Sequence, residues 1–252
     1  MRIFLSLALL FSFSVVAQES TEYKYEVESN KAEYYIGSYK KGKDVEDLAA
    51  WYGKFAQWAD SKGSTFDKMS VAILTPYFSS ELSTHDVMWV TNTPGPLEQF
   101  AGLQEWVTDG MPMLGKSLPV VNSQVLDTWQ WVVSSPATTE EDTLMYATYA
   151  DCSLEDGYDM RQVYDMYKDF AVFAQSQGDT LGRKLIVVES GGQLSEGVDF
   201  VRLMYSSSVM ERGTNAALYY DKIEGSEASD NLKGFSCSNA SSYIGQSMRD
   251  YK

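Results

Sequence analysis

Residues 52–63, YGKFAQWADSKG, return as residues 167–178, YKDFAVFAQSQG, at an offset of 115 with six identical positions. The match is collinear. Residues 34–39 (YYIGSY) correspond to 144–149 (LMYATY), and the apolar runs 69–74 and 87–90 correspond to 184–189 and 200–203. Agreement in order along most of a chain of 252 residues implies that one unit of ordinary domain size has been duplicated and fused.

The first seventeen residues join Arg2 to the apolar run 3–11 and the small-residue ending VVA, a pattern expected of a signal peptide cut before Gln18. The chain is therefore expected to be secreted or periplasmic. No later apolar stretch reaches the roughly 18 residues that span a bilayer, so membrane insertion is not expected. With a formal net charge of −15, the chain repels phosphate backbones, which excludes nucleic acid as an expected partner. Apolar residues at 44% supply ample core.

Each unit spells the same order of elements. Residues 34–39 alternate like a strand, and Asp44 can cap a helix whose apolar positions Val45, Leu48, Tyr52, Phe55 and Ala59 form one stripe. Asp159 opens the second copy, with Met160, Val163, Tyr167, Phe170 and Ala174 in the same register. Gly63 and Gly178 stand where glycine ends a helix. Two apolar runs then read as a hairpin, at 69–75 with 85–91 and at 184–190 with 200–206. A second helix is expected over 97–109 and 210–224, and a closing strand over 127–133 and 235–244. The order is β-α-β-β-α-β, twice. Several of these strands are apolar on both faces, so both faces must be covered.

This pattern resembles the dimeric α/β-barrel superfamily, with both ferredoxin-like units in one chain. The resemblance implies an α+β fold of two tandem βαββαβ repeats whose antiparallel sheets face each other as an intramolecular barrel. The expected boundaries are a signal peptide at 1–17, an N-terminal extension at 18–32, repeats at 33–135 and 141–252, and a linker at 136–140. One chain holds both units, so a monomer is compatible with the fold. The superfamily includes cofactor-free monooxygenases, haem-handling enzymes and stress-related proteins. The expected function is the binding of a small apolar or aromatic molecule between the sheets. The alternatives are a monooxygenase or haem-handling activity, or a filled barrel with a structural role.

His85 is the only histidine. It is a candidate iron ligand, or a general base beside Asp86, or simply a polar residue opening a strand. Arg202, in a doubly apolar strand, could hold a substrate carboxylate inside the barrel or pair with Glu189. Tyr35, Tyr39, Trp89 and Tyr149 are candidate walls of a pocket between the sheets. No cofactor beyond haem and no metal site is expected. The loop 151–159 is oxygen-rich, but its glycine falls one place late for an EF-hand and Gln162 stands where the bidentate Glu would be. In the strand arrangement the resemblance implies, Cys152 ends one strand beside the start of the strand carrying Cys237. An oxidising compartment would join them.

Overall fold

The computed structural model describes residues 23–80, 82–137 and 144–251. The expected signal peptide, residues 18–22 of the N-terminal extension and residues 138–140 of the linker lie outside the described residues. Eight strands are present among the described residues: β1 (Ser29–Tyr39), β2 (Ser70–Phe78), β3 (Val87–Thr93), β4 (Val120–Ser134), β5 (Met145–Leu154), β6 (Gly182–Ser190), β7 (Phe200–Ser206) and β8 (Phe235–Arg249). The helices are α1 (Val45–Asp60), α2 (Pro96–Glu105), α3 (Met111–Leu114), α4 (Met160–Ser176), α5 (Val209–Leu218) and α6 (Glu227–Asp230). No helix among the described residues is long and apolar enough to cross a membrane.

The strands close into one antiparallel barrel in the order β1-β3-β2-β8-β5-β7-β6-β4. This refines the expectation of two facing sheets. Twisted strands of this number can curl until their edges meet, and hydrogen bonds then run round the whole ring. The halves are joined by pairing of β2 with β8 and of β4 with β6. β1 begins at Ser29, ahead of the boundary expected at residue 33, and β4 and β8 are far longer than their apolar cores suggested.

Both long helices start as their sequences imply. Asp44 accepts from the backbone of Glu46 and Asp47, Asp159 accepts from that of Gln162, and each forms a reciprocal capping box worth about 1 kcal/mol. The apolar stripe of α1 buries Leu48, Trp51, Tyr52, Phe55, Trp58 and Ala59, whereas Val45, in the first turn, faces solvent. Gly63 and Gly178 take positive φ, +63° and +103°, the left-handed region that favours glycine past a helix end.

The second helix of each half is broken where a single one was expected. A π turn, Trp106–Gly110, follows α2, and another, Tyr219–Ile223, follows α5. The first carries Gly110 against the rings of Trp106 and Trp58, where a Cβ would lie 2.4 and 2.7 Å from ring carbons.

Side chains alternate across the barrel wall and sort the core into three bodies. One lies under α1 and α2, centred on Trp51, Phe55 and Ile73. A second lies under α4 and α5, centred on Tyr164, Tyr167 and Phe200. The third fills the barrel, with Tyr34, Leu74, Met88, Ile186, Leu203 and Tyr243. Cys152 and Cys237 sit directly opposite each other on β5 and β8 and form the expected disulfide, with Cα atoms 4.1 Å apart. Residues 23–28 lie across α4: Lys24 N–H donates to Asp165 (2.6 Å), the Tyr25 hydroxyl to Asp169 (2.7 Å) and Lys168 Nζ to Glu28 (2.8 Å).

Candidate functional site

The best-formed cavity is not between two sheets. It lies outside the barrel wall, between the outer face of β1, β3 and β4 and the helices α1 and α2, with a volume of about 150 Å³. A cavity of this order holds one aromatic ring. Its apolar walls are Trp51 and Phe55 from α1, Trp89 from β3 and Trp106 from the π turn. Trp51, Trp89, Trp106 and Phe55 pack edge-on or tilted with centroids 5.5 to 6.2 Å apart, except for the near-parallel Trp51–Phe55 pair.

One side of this aromatic box is polar. Glu33 on β1 accepts hydrogen bonds from the hydroxyls of Tyr35 (2.9 Å) and Thr91 (3.2 Å) and from Gln99 Nε2 (3.1 Å). Asp127, opposite Glu33 across the β1–β4 pair, accepts from the same Gln99 nitrogen at 2.9 Å. With its NH2 group shared by two carboxylates, the Gln99 amide can face only one way. Its Oε1 is buried and has no partner. Gln99 as a whole is 6% exposed and lines the cavity. Burial, and then the Glu33 carboxylate, push the Tyr35 phenol well above its ordinary value, so it stays a donor.

Behind the carboxylates sits Lys31, 1% exposed, whose ammonium pairs with Asp127 (2.5 Å) and with Glu189 on β6. It also lies 4.9 Å from the centroid of the Trp129 ring. Buried charges are tolerable when paired in this way.

The residues singled out in the sequence are dispersed. Tyr35 and Trp89 line the cavity. Tyr39 packs against the same aromatic cluster but does not line it; burial raises its phenol to about 12. Tyr149 lies inside the barrel, edge-on to Tyr34 and Tyr243 at 5.9 and 5.5 Å. His85 stands in the turn before β3, with Nδ1 2.9 Å from Thr84 Oγ1 and Nε2 3.2 Å from the Tyr243 hydroxyl. Asp86, beside it, accepts the Tyr39 backbone N–H at 2.9 Å.

Arg202 shares the outer face of β7 with Phe200, opposite Ala150 and Leu185, so it does not point into the barrel. Nor does it pair with Glu189, which Lys31 takes; its Nε is buried without a partner. Sequence reasoning missed Glu33, Gln99, Asp127 and Lys31. Lys31, Glu33 and Tyr35 alternate along β1, a polar stripe that could have flagged the first strand. Gln99 gives no such signal, being one polar residue of many on an amphipathic helix.

Haem does not fit this cavity. No histidine or cysteine lines it, no Lys or Arg is among its walls to receive the porphyrin's carboxylates, and its volume suits one ring rather than a four-pyrrole macrocycle.

No protein-family model matches the chain, and no curated protein matches it by sequence. Solved structures do resemble it. A protein described as a monooxygenase from Fusobacterium nucleatum subsp. nucleatum aligns with 89% of this chain and 94% of its own, at a TM-score of 0.52 and 9% identity. An anthrone oxidase-like protein aligns over 90% and 93%, at 0.48 and 10% identity. Chlorite dismutase from Candidatus Nitrospira defluvii aligns over 88% and 92%, at 0.45 and 12% identity. Identities this low speak for the fold alone, an α+β fold built on a closed antiparallel barrel.

Proposed function

We propose that the chain is an exported protein, built from two tandem βαββαβ units, that binds a small aromatic molecule bearing a hydrogen-bond donor in the cavity under α1 and α2. The carrying observation is the orphaned Oε1 of Gln99 in an otherwise aromatic box. A buried acceptor left unmade costs about 1–3 kcal/mol, and a ligand N–H or O–H seated against the rings would recover it. The flanking carboxylates favour a donor and repel an anion.

A second reading is favoured by Glu33, a carboxylate on the cavity wall, together with the fold likeness to a protein described as a monooxygenase. Glu33 would accept a proton from an acidic aromatic substrate, and dioxygen would be the oxidant. Binding comes first in either case.

The test is tryptophan quenching by 4-nitroaniline, which carries an N–H donor, and by nitrobenzene, which does not. The wild type should bind 4-nitroaniline about 5- to 10-fold more tightly, the worth of one hydrogen bond. In Gln99→Met that preference should vanish. Equal affinities in the wild type, or no binding of either probe, would overturn the reading.

A further inference from the structure

Inside the barrel, Lys184 on β6 lies across from Leu203 and Val132, on the interior face. Its ammonium donates to Asn30 Oδ1 (3.0 Å) and Gln130 Oε1 (2.6 Å) and stands 5.9 Å from the centroid of the Tyr205 ring. The amide orientations are fixed by their other bonds. Asn30 Nδ2 donates to the Lys31 carbonyl (2.9 Å), and Gln130 Nε2 donates to the Tyr34 hydroxyl. Asn30 Oδ1 is thus left for the lysine, and Gln130 Oε1 accepts from the lysine and from Asn30 Nδ2 (3.2 Å).

No carboxylate pairs with Lys184 among the described residues. The contrast with Lys31 is instructive, since that buried lysine has two. The titratable groups sharing the interior face are the phenols of Tyr34, Tyr149, Tyr205 and Tyr243, the last with His85 against it. Burial raises Tyr34, Tyr149 and Tyr205, the last to about 12, so these three are neutral near pH 7. Lys31, Asp127 and Arg183 belong to the other face of the wall, where Lys31 pairs with Asp127 and Arg183 with Asp179. A lysine held only by neutral dipoles loses its proton readily, and burial lowers this one to about 8. The residue is mostly buried, with part of its surface open to solvent.

We propose that Lys184 is a covalent capture site for small aldehydes, separate from the cavity under α1 and α2. The neutral amine attacks the carbonyl carbon to give a carbinolamine. Loss of the carbonyl oxygen as water, carrying both amine hydrogens, leaves the C=N bond of an imine. No oxidant or reductant is needed, and the neutral surroundings favour the uncharged adduct over the ammonium.

The test is reductive trapping on the intact protein with propanal and cyanoborohydride, followed by site-resolved mass spectrometry of every lysine across pH 6.5 to 10.5. Lys184 should label about 10-fold or more faster than the exposed lysines at pH 7.5, because far more of it is unprotonated than of a lysine at the usual ~10.4. Its rate should reach half its maximum near pH 8. Labelling no faster than at exposed lysines, or a rate that climbs only towards pH 10, would overturn the proposal. The other lysines serve as internal controls, so no variant has to fold.

Discussion

Reducing the Cys152–Cys237 bridge should destabilise the protein substantially, and the structure sets the scale. The bridge spans a sequence separation of 85 residues and ties β5 to β8 at a position where their backbones are already paired. It therefore adds little to the folded state and acts mainly on the unfolded chain. Closing a loop of that length removes chain entropy worth about 4 to 5 kcal/mol at 25 °C, an upper limit in the chain-entropy model. For a chain of this size about 2–4 °C accompanies each kcal/mol, so Tm should fall by roughly 10 to 15 °C. Urea unfolding followed by tryptophan fluorescence, with and without reductant, measures the loss directly. The denaturant slope should also rise on reduction, because the freed chain exposes more surface. An unchanged midpoint and slope, with both thiols shown to be free by alkylation, would refute the argument.

Gly110→Ala sets two effects against each other. Helix propensity favours alanine by about 1 kcal/mol, but the new methyl would meet Trp106 and Trp58 at 2.4 and 2.7 Å, and forced overpacking costs about 1–3 kcal/mol. Since both rings are held by other aromatics, a net loss of about 1–2 kcal/mol in urea unfolding is expected, and equal or greater stability would contradict it. Lys184 should make stability rise with pH. Its folded value of about 8 lies below the unfolded one, so between the two the unfolded state holds the extra proton, and raising the pH relieves the cost of burying the charge. From pH 7.5 to 9.5 the gain should be about 2 kcal/mol at most. It should be absent from Lys184→Met. Beyond pH 10 the raised phenols of Tyr34, Tyr35 and Tyr149 should reverse the trend, since the folded state then holds the extra protons.

Much of the architecture can be read from the chain, and the site cannot, for identifiable reasons. The helix stripes and the Asp44 and Asp159 caps follow from local spacing, and the disulfide from the strand arrangement that the resemblance implies. The inner and outer faces of the barrel do not follow. In runs such as Val71 to Leu74 every position is apolar, so alternation carries no information about which side chains meet the helices. Trp89 and Tyr149, grouped in the sequence as walls of one pocket, consequently fall on opposite sides of the barrel wall. Arg202 was assigned a partner on the correct neighbouring strand, but Glu189 is claimed by Lys31 from across the β4–β6 junction, a contact 158 residues apart in sequence. The Gln99 orphan is a relation among three elements and leaves no local mark.

The segment 23–28 has a consequence for the order in which the molecule can assemble. Its partners on α4 lie 136 to 145 residues further along the chain, and the strands that would complete the ring beside β2 and β4 come later still. A half-made chain therefore has β2 and β4 as bare strand edges and an N-terminal segment with nowhere to dock. Contacts this remote are slow to form, and exposed edges invite pairing with the wrong chain in the meantime. The stretch that is synthesised first among the described residues is thus among the last to find its place.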